Sequence, residues 1–240
     1  MLAFLRKARK SLTQSAPTRK YVVYAIGETL LVVIGILIAL QVNNWNEERK
    51  RAILERNLLL ELKDNLTHDL SDIRFNIDSD MGTMRQNVNV LSQLEQRLPF
   101  HDSLISSYGR LTMSTVLVKN VSAYENLQSI GFDLISNDSL RRKITVLYSA
   151  RYDYLDDLTI QGSNRFIMDH FTPLTIRHLE SSEALVAARP INQEALYDNH
   201  EFKETIRYHI FVKSMIINVN KSLEDDILEI LDLIEKELNI

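Results

Sequence analysis

Apolar residues follow two different patterns along this chain. From Tyr21 to Val42 they run on almost without a break (YVVYAIGETLLVVIGILIALQV). A helix needs roughly 20 apolar residues to cross a hydrocarbon core, so this stretch predicts a membrane-spanning helix, bounded at 21–43. Tyr21 and Tyr24 at one end and Trp45 just past the other are amphipathic rings suited to the headgroup level, the expected interface anchors. Beyond the span the apolar positions recur every three or four residues: Leu59, Leu62, Leu66, Leu70, Ile73, Ile77, Met81, Met84, Val88, Leu91 and Leu98. From Leu66 to Val88 the steps run 4-3-4 twice, an eleven-residue rhythm close to that of a straight helix. Polar neighbours flank the stripe, so one face is expected to point inward. No Gly or Pro occurs between Trp45 and Gly82, so the spanning helix is predicted to run on into this one, and Pro99 to end it.

Shorter elements follow. Asp102 is placed to cap a helix through about Thr115, and Val116 to Val118 reads as extended. Ser122 and Glu125 have capping-box spacing and open a short helix closed at Gly131. Asn137 or Asp138 caps a long helix through Phe171, with Leu140, Ile144, Leu147, Leu155, Leu158 and Phe166 inward, a weak point at Gly162 and a bend or stop at Pro173. Residues 181–198 read as a connection with one helical turn. A last helix runs from about Asn199 to Leu238, with Phe202, Ile206, Ile216, Leu223, Ile227, Leu231, Ile234 and Leu238 inward. The expected fold is all-α, a single N-terminal transmembrane helix continuing into an extended antiparallel helical bundle. Three segments result: a basic leader (1–20), the span (21–43) and a helical bundle (44–240).

Charge sets the expected orientation. Residues 1–20 carry Arg6, Lys7, Arg9, Lys10, Arg19 and Lys20, against Arg49, Lys50, Arg51 and Arg56 downstream. Lys and Arg near a span favour the cytoplasmic side, which puts the leader inside and the bundle outside the cytoplasm. The leader fits either a short amphipathic helix on an anionic leaflet or a basic tail, with a hinge at Ser15 to Thr18. The apolar run exceeds the core of a signal peptide, and no A-x-A-like cleavage site follows it. The chain has 240 residues, a net charge of −4 and no cysteine, so disulfide, thiolate and Cys-metal chemistry are excluded.

Glu28 interrupts the span. Ionisable side chains inside hydrocarbon are costly and are functional candidates by default. At about 100° per residue, Glu28, Gly35 and Ala39 fall within about 40° of one another, and Gly35-x-x-x-Ala39 is a small-xxx-small pattern that lets two backbones approach. This face is the candidate membrane helix contact, with a second copy or another membrane protein as partner. The alternative, that Glu28 reaches headgroups or water, stands beside it.

The stretch GETLLVVIGILIALQVNNWNEERK, preceded by a basic leader ending RKY, resembles a family of short single-pass bacterial envelope proteins of unknown function with the N-terminal signature GExxLVVIGILIALQxNNWNE. A second patch, Ala123 to Gly131 running on to Asp138–Arg142, is similar to that family's internal motif. The resemblance implies an anchored bacterial protein; together with the Lys/Arg bias, the expected location is the bacterial inner membrane, with a cytoplasmic N-terminus and a periplasmic C-terminal part. It implies no activity.

The remaining residues offer little chemistry. P-loop, dinucleotide, nucleophile-elbow and zincin motifs are absent. His170 and His178 flank Pro173 without a third metal ligand nearby, and His209 reads as a flank residue of the last helix. Glu224 to Asp226 reads as a solvated acidic face, and Tyr148, Tyr152 and Tyr154 around Arg151 as packing tyrosines. Basic residues concentrate in the leader, which argues against nucleic acid as a partner. No catalytic residue, cofactor or metal is expected, and the chain does not read as an enzyme. The first functional reading is an interaction or scaffold component of a bacterial envelope complex, with the lipid bilayer as a partner. A ligand-sensing bundle acting through a partner, or an accessory subunit of an ion-coupled complex with Glu28 as its protonatable group, are the alternatives.

Overall fold

The computed structural model describes residues 16–182 and 186–239. The basic leader falls almost wholly outside them. A single α-helix runs unbroken from Ala16 to Glu95. Pro17 lies in its first turn, where a missing N–H costs nothing and the fixed φ suits a helix, so Ala16 to Thr18 of the expected hinge belong to the helix, while Ser15 lies outside the described residues. Residues 20–54 are exposed throughout, including Tyr21, Tyr24 and Trp45. This is one helix, among the described residues, long and apolar enough to cross a membrane. The compact folded unit begins at Glu55.

The first helix stops where Arg97 turns left-handed (φ 52°) and Leu98 N–H returns to the Gln93 carbonyl at 3.0 Å. That is a C-terminal reversal built on a residue other than glycine. Arg97 compensates with two 2.9 Å bonds to Asp198. The freed Leu98 carbonyl accepts from Gln93, from Gln193 at 2.7 Å and from the Tyr197 hydroxyl at 2.7 Å.

A 3-10 turn (Asp102–Leu104), capped by His101 rather than Asp102, leads into one short helical segment, Ile105–Gly109. The helix expected through Thr115 therefore ends early, and residues 113–121 connect to the next helix without helix or strand. Gly109 lies against the backbone of Val186 and Ala187, where an added Cβ would come within 2.3 Å. The next helix is Ser122–Ile130, closed by Gly131 at φ 117° as its sequence predicts. The capping box does not form: no side chain caps that helix, and the Ser122 hydroxyl accepts from Asn65 instead.

Asn137 caps a mixed helix. Its parts are α-helical Asp138–Val146, π-helical Leu147–Arg151, α-helical Tyr152–Asp156, π-helical Asp157–Asn164 and Ile167–Phe171, and α-helical Thr172–His178. The wider π turns stretch the inward rhythm to every fourth residue, so Leu155, Thr159, Ser163, Ile167 and Phe171 are buried while Leu158 is only partly so. The connection expected at 181–198 holds a small two-stranded antiparallel sheet (Leu179–Ser181 with Ala188–Pro190) and a helical turn, Gln193–Tyr197. Asn199 caps the closing helix, His200–Leu238.

Ion pairs fix the antiparallel order. Lys63, Arg74, Asp80 and Glu95 of the first helix meet Glu235, Glu224, Lys213 and Arg207 of the closing one in descending sequence. The mixed helix pairs with the closing helix through Lys143–Glu229 and Arg151–Asp226. The fold is all-α, as expected. Two apolar clusters form its core. One joins Leu58 to Ile77 of the first helix with Leu140 to Leu155 and Ile217 to Leu238; the other joins Val90 and Leu94 with Tyr108, Leu111, Phe171, Leu174, Leu196, Phe202 and Ile206. Each fully buried Leu or Ile contributes roughly 1.5–3 kcal/mol.

Candidate functional site

The buried face of the first helix is not the apolar stripe that its sequence suggests beyond Ile77. Met81, Met84 and Leu91 are only partly covered, and Val88 and Leu98 are exposed. The buried positions step 66, 69, 73, 76, 80, 83, 87, 90 and 94, a heptad seam with about 3.5 residues per turn. Several of them are polar: Asp69, Asn76, Asp80, Thr83 and Asn87. The closing helix answers with 206, 209, 213, 216, 220, 223 and 227, again a heptad rhythm, of which His209, Lys213 and Asn220 are polar. Thr159 and Ser163 add to this from the mixed helix.

The centre of this set is the Asp80–Lys213 pair. The two charges meet at 2.5 Å and their side chains are 1% and 0% exposed. Thr115 of the connecting segment donates to the second Asp80 oxygen at 3.2 Å. Burial lowers Lys213 below its ordinary value, and Asp80 beside it opposes the fall. Such a pair gains little over an apolar pair of the same shape, but losing one partner strands a buried charge.

One level along lies His209. Its Nδ1 sits 3.3 Å from the Asn87 side-chain oxygen, while Asn87 Nδ2 donates to the carbonyls of Thr83 (2.9 Å) and Leu111 (3.3 Å). Phe171 packs edge-on against the imidazole. Burial, then the nearby Lys213 ammonium, pushes His209 down to about 3, with the Leu111 backbone working the other way. His209 is therefore a neutral core residue, not the flank residue its sequence suggested. Among the described residues its Nε2 has no hydrogen-bond partner, and neither do Gln86 Oε1, Ser114 Oγ, Ser163 Oγ and Asn220 Oδ1.

Asp69 is held differently. It accepts from Asn120 N–H (2.9 Å), the Asn120 amide (2.7 Å) and the Tyr152 hydroxyl (2.7 Å). Burial raises its pKa, and those donors pull it back. Tyr152 is pushed up by burial and by Asp69. Tyr148 donates to the Asn120 carbonyl and stacks on Tyr124 with ring centres 4.4 Å apart. Two of the three tyrosines around Arg151 are thus packed, while Tyr154 is exposed.

Four polar side chains of the first helix hold the connecting segment against it. Asp69 takes Asn120, Asp72 takes Val118 N–H at 2.9 Å, Asp80 takes Thr115, and Asn87 takes the Leu111 carbonyl. The nine residues from Leu111 to Asn120 span about 30 Å when extended. The eighteen from Asp69 to Asn87 rise about 27 Å as a helix. The segment is thus long enough to run beside the helix as a strap, and side chains grip it at intervals.

The remaining expected positions are placed as follows. The chain is helical through Glu28, Gly35 and Ala39, all three exposed, so the spacing that puts them on one face is kept. Thr29 beside them returns its hydroxyl to the Ala25 carbonyl. His178 meets Asn199 at 3.1 Å, and His170 packs against Phe166. Glu224 and Asp226 are taken up by Arg74 and Arg151. Among the described residues no group of three His, Asp or Glu is placed to hold a metal ion. A surface cleft of about 270 Å³ is lined by Arg142, Val146, Leu147, Ile230 and the Lys143–Glu229 and Arg151–Asp226 pairs.

These features define an all-α protein with one N-terminal helix fit to cross a membrane and a helical bundle with a buried polar interior. The chain belongs to a family of unknown function, DUF6090, whose match covers residues 28–163. That range takes in Glu28, Gly35, Ala39, Asp69 and Asp80, and stops short of the helix bearing His209 and Lys213. No curated protein matches the chain, and no solved structure does.

Proposed function

We propose that this is a single-pass protein of the bacterial inner membrane, its leader cytoplasmic and its bundle periplasmic, acting as an interaction or scaffold component of an envelope complex and not as an enzyme. The observation that carries the reading is the apolar segment 21–42, exposed on every side, with Glu28, Gly35 and Ala39 on one face. A carboxyl in hydrocarbon needs a partner, and small residues one turn apart let a neighbouring helix come close enough to provide it. The ionisable groups of the bundle support the same reading, because many of them are engaged in ion pairs between helices.

Crosslinking within the native membrane tests the proposal. Wild type should give a crosslinked species that Gly35→Leu and Glu28→Leu both abolish, since they alter the same face. Glu28→Gln, which keeps the hydrogen-bonding capacity, should preserve it. A monomeric pattern in all four proteins would remove the contact.

A further inference from the structure

The two apolar clusters of the bundle are separated by a belt in which three helices turn polar together. The first helix contributes Asp80, Thr83 and Asn87, the closing helix His209 and Lys213, and the mixed helix Thr159 and Ser163. Each stands at a position that continues the inward rhythm of its helix. We propose that this belt is a conformational seam. The half built on Leu58 to Ile77 and the half built on Val90 to Ile206 open separately, and the Asp80–Lys213 pair keeps them in register. This goes beyond the membrane contact and does not depend on it.

Four observations support the seam. An ion pair taken out of water adds little net cohesion compared with apolar packing, so the belt binds the halves less firmly than each half binds itself. Of the five buried side-chain atoms without a partner among the described residues, those of Ser163 and His209 lie in the belt, those of Gln86 and Ser114 are next in sequence to Asn87 and Thr115, and that of Asn220 lies in the first half. Unpaired buried polar atoms work against the closed arrangement. The mixed helix crosses this level in π turns, Asp157–Asn164 and Ile167–Phe171, a geometry that is rare and recurs at functional positions. The strap then bridges the seam: Leu111 is in one cluster, Leu117 in the other, and Thr115 between them bonds Asp80.

Separately opening units are read by native-state hydrogen exchange. In the full chain in detergent micelles, amides of 58–77 and 217–238 should be protected at least about tenfold more, or less, than those of 90–94 and 202–206. Their exchange should also respond to urea with different slopes. In Asp80→Leu/Lys213→Met, which closes the belt with apolar residues, the two levels should converge. Thr83→Val/Ser163→Ala leaves the ion pair intact and should narrow the gap in part. A single protection level across both halves of the wild type would overturn the proposal, whatever the variants do. So would two levels that stay equally far apart in whichever variants fold.

Discussion

Asp69 and Asp80 lie on one face of one helix, both buried to within about a hundredth of full coverage, and their surroundings solve the problem of a buried carboxylate in opposite ways. Asp69 is surrounded by neutral donors that nearby segments deliver to it: a backbone N–H, an amide and a phenol. Every donor aimed at it belongs to the same local knot of strap and mixed helix. Asp80 is matched by a full charge from a distant helix, with unpaired polar atoms around it. Neutral donors make a site that is satisfied and locally held. A charge partner makes one whose stability rests chiefly on a long-range contact, with the Thr115 hydroxyl as its second donor.

The largest effect that could break this contrast is Lys213→Met. It strands Asp80 and should cost about 3–5 kcal/mol, while the double change Asp80→Leu/Lys213→Met should restore or exceed wild-type stability. Urea midpoints of the full chain in micelles measure both. A single variant as stable as wild type would mean that Asp80 has other support.

The next effect is a pH dependence of known sign. Unfolded His209 takes up a proton near 6.5, but the folded residue resists until about 3. Its contribution is fully present above pH 6.5 and is lost as pH falls toward 3, of order a few kcal/mol across that window. Asp69 works the other way. Its folded pKa is raised, so its contribution is greatest in acid and falls as pH rises through that value. Urea midpoints at pH 7, 5 and 4 should decline in wild type, and His209→Gln should flatten the decline. An equally steep decline in that variant would place the acid sensitivity elsewhere.

Asp69→Asn should have a smaller effect, about 1–2 kcal/mol, because an amide oxygen still accepts from Asn120 and the Tyr152 hydroxyl can turn to accept. The same urea midpoints test it, and a loss matching that of Lys213→Met would erase the contrast. The smallest belongs to Asp72→Ala. It removes one bond to the exposed Val118 N–H, which water replaces, so its cost should stay under about 1 kcal/mol.

Some ends of the elements were legible in the sequence, because caps are local chemistry, although Asp102 and Ser122 do not cap as their spacing implies. Asn137, Gly131 and Asn199 each do what their residue types imply. So was the core from Leu59 to Ile77, where the apolar stripe is buried, with Asp69 and Asn76 buried beside it. Past Ile77 stripe and burial part. The apolar residues keep an eleven-residue rhythm through Met81, Met84 and Val88, while burial follows a seven-residue one through Asp80, Thr83 and Asn87. A polar residue at a seam position reads as surface when hydrophobicity is the only guide. The signal was nonetheless there on the closing helix. Continuing the heptad from Ile216, Leu223 and Ile227 back to Ile206 lands on His209, Lys213 and Asn220. The π turns and the short sheet left no such trace, since both depend on packing that no local pattern records.

The strap has a consequence for how this sequence can drift. Two of the four grips on it are carboxylates that hold main-chain N–H groups, Asp72 on Val118 and Asp69 on Asn120. Every amino acid except proline supplies that N–H. The burden of recognition therefore falls on the helix, and exposed strap positions such as Val116 and Val118 are released to change. Substitutions at those positions would change the segment's outward face, while Asp69 and Asp72 still hold its main chain.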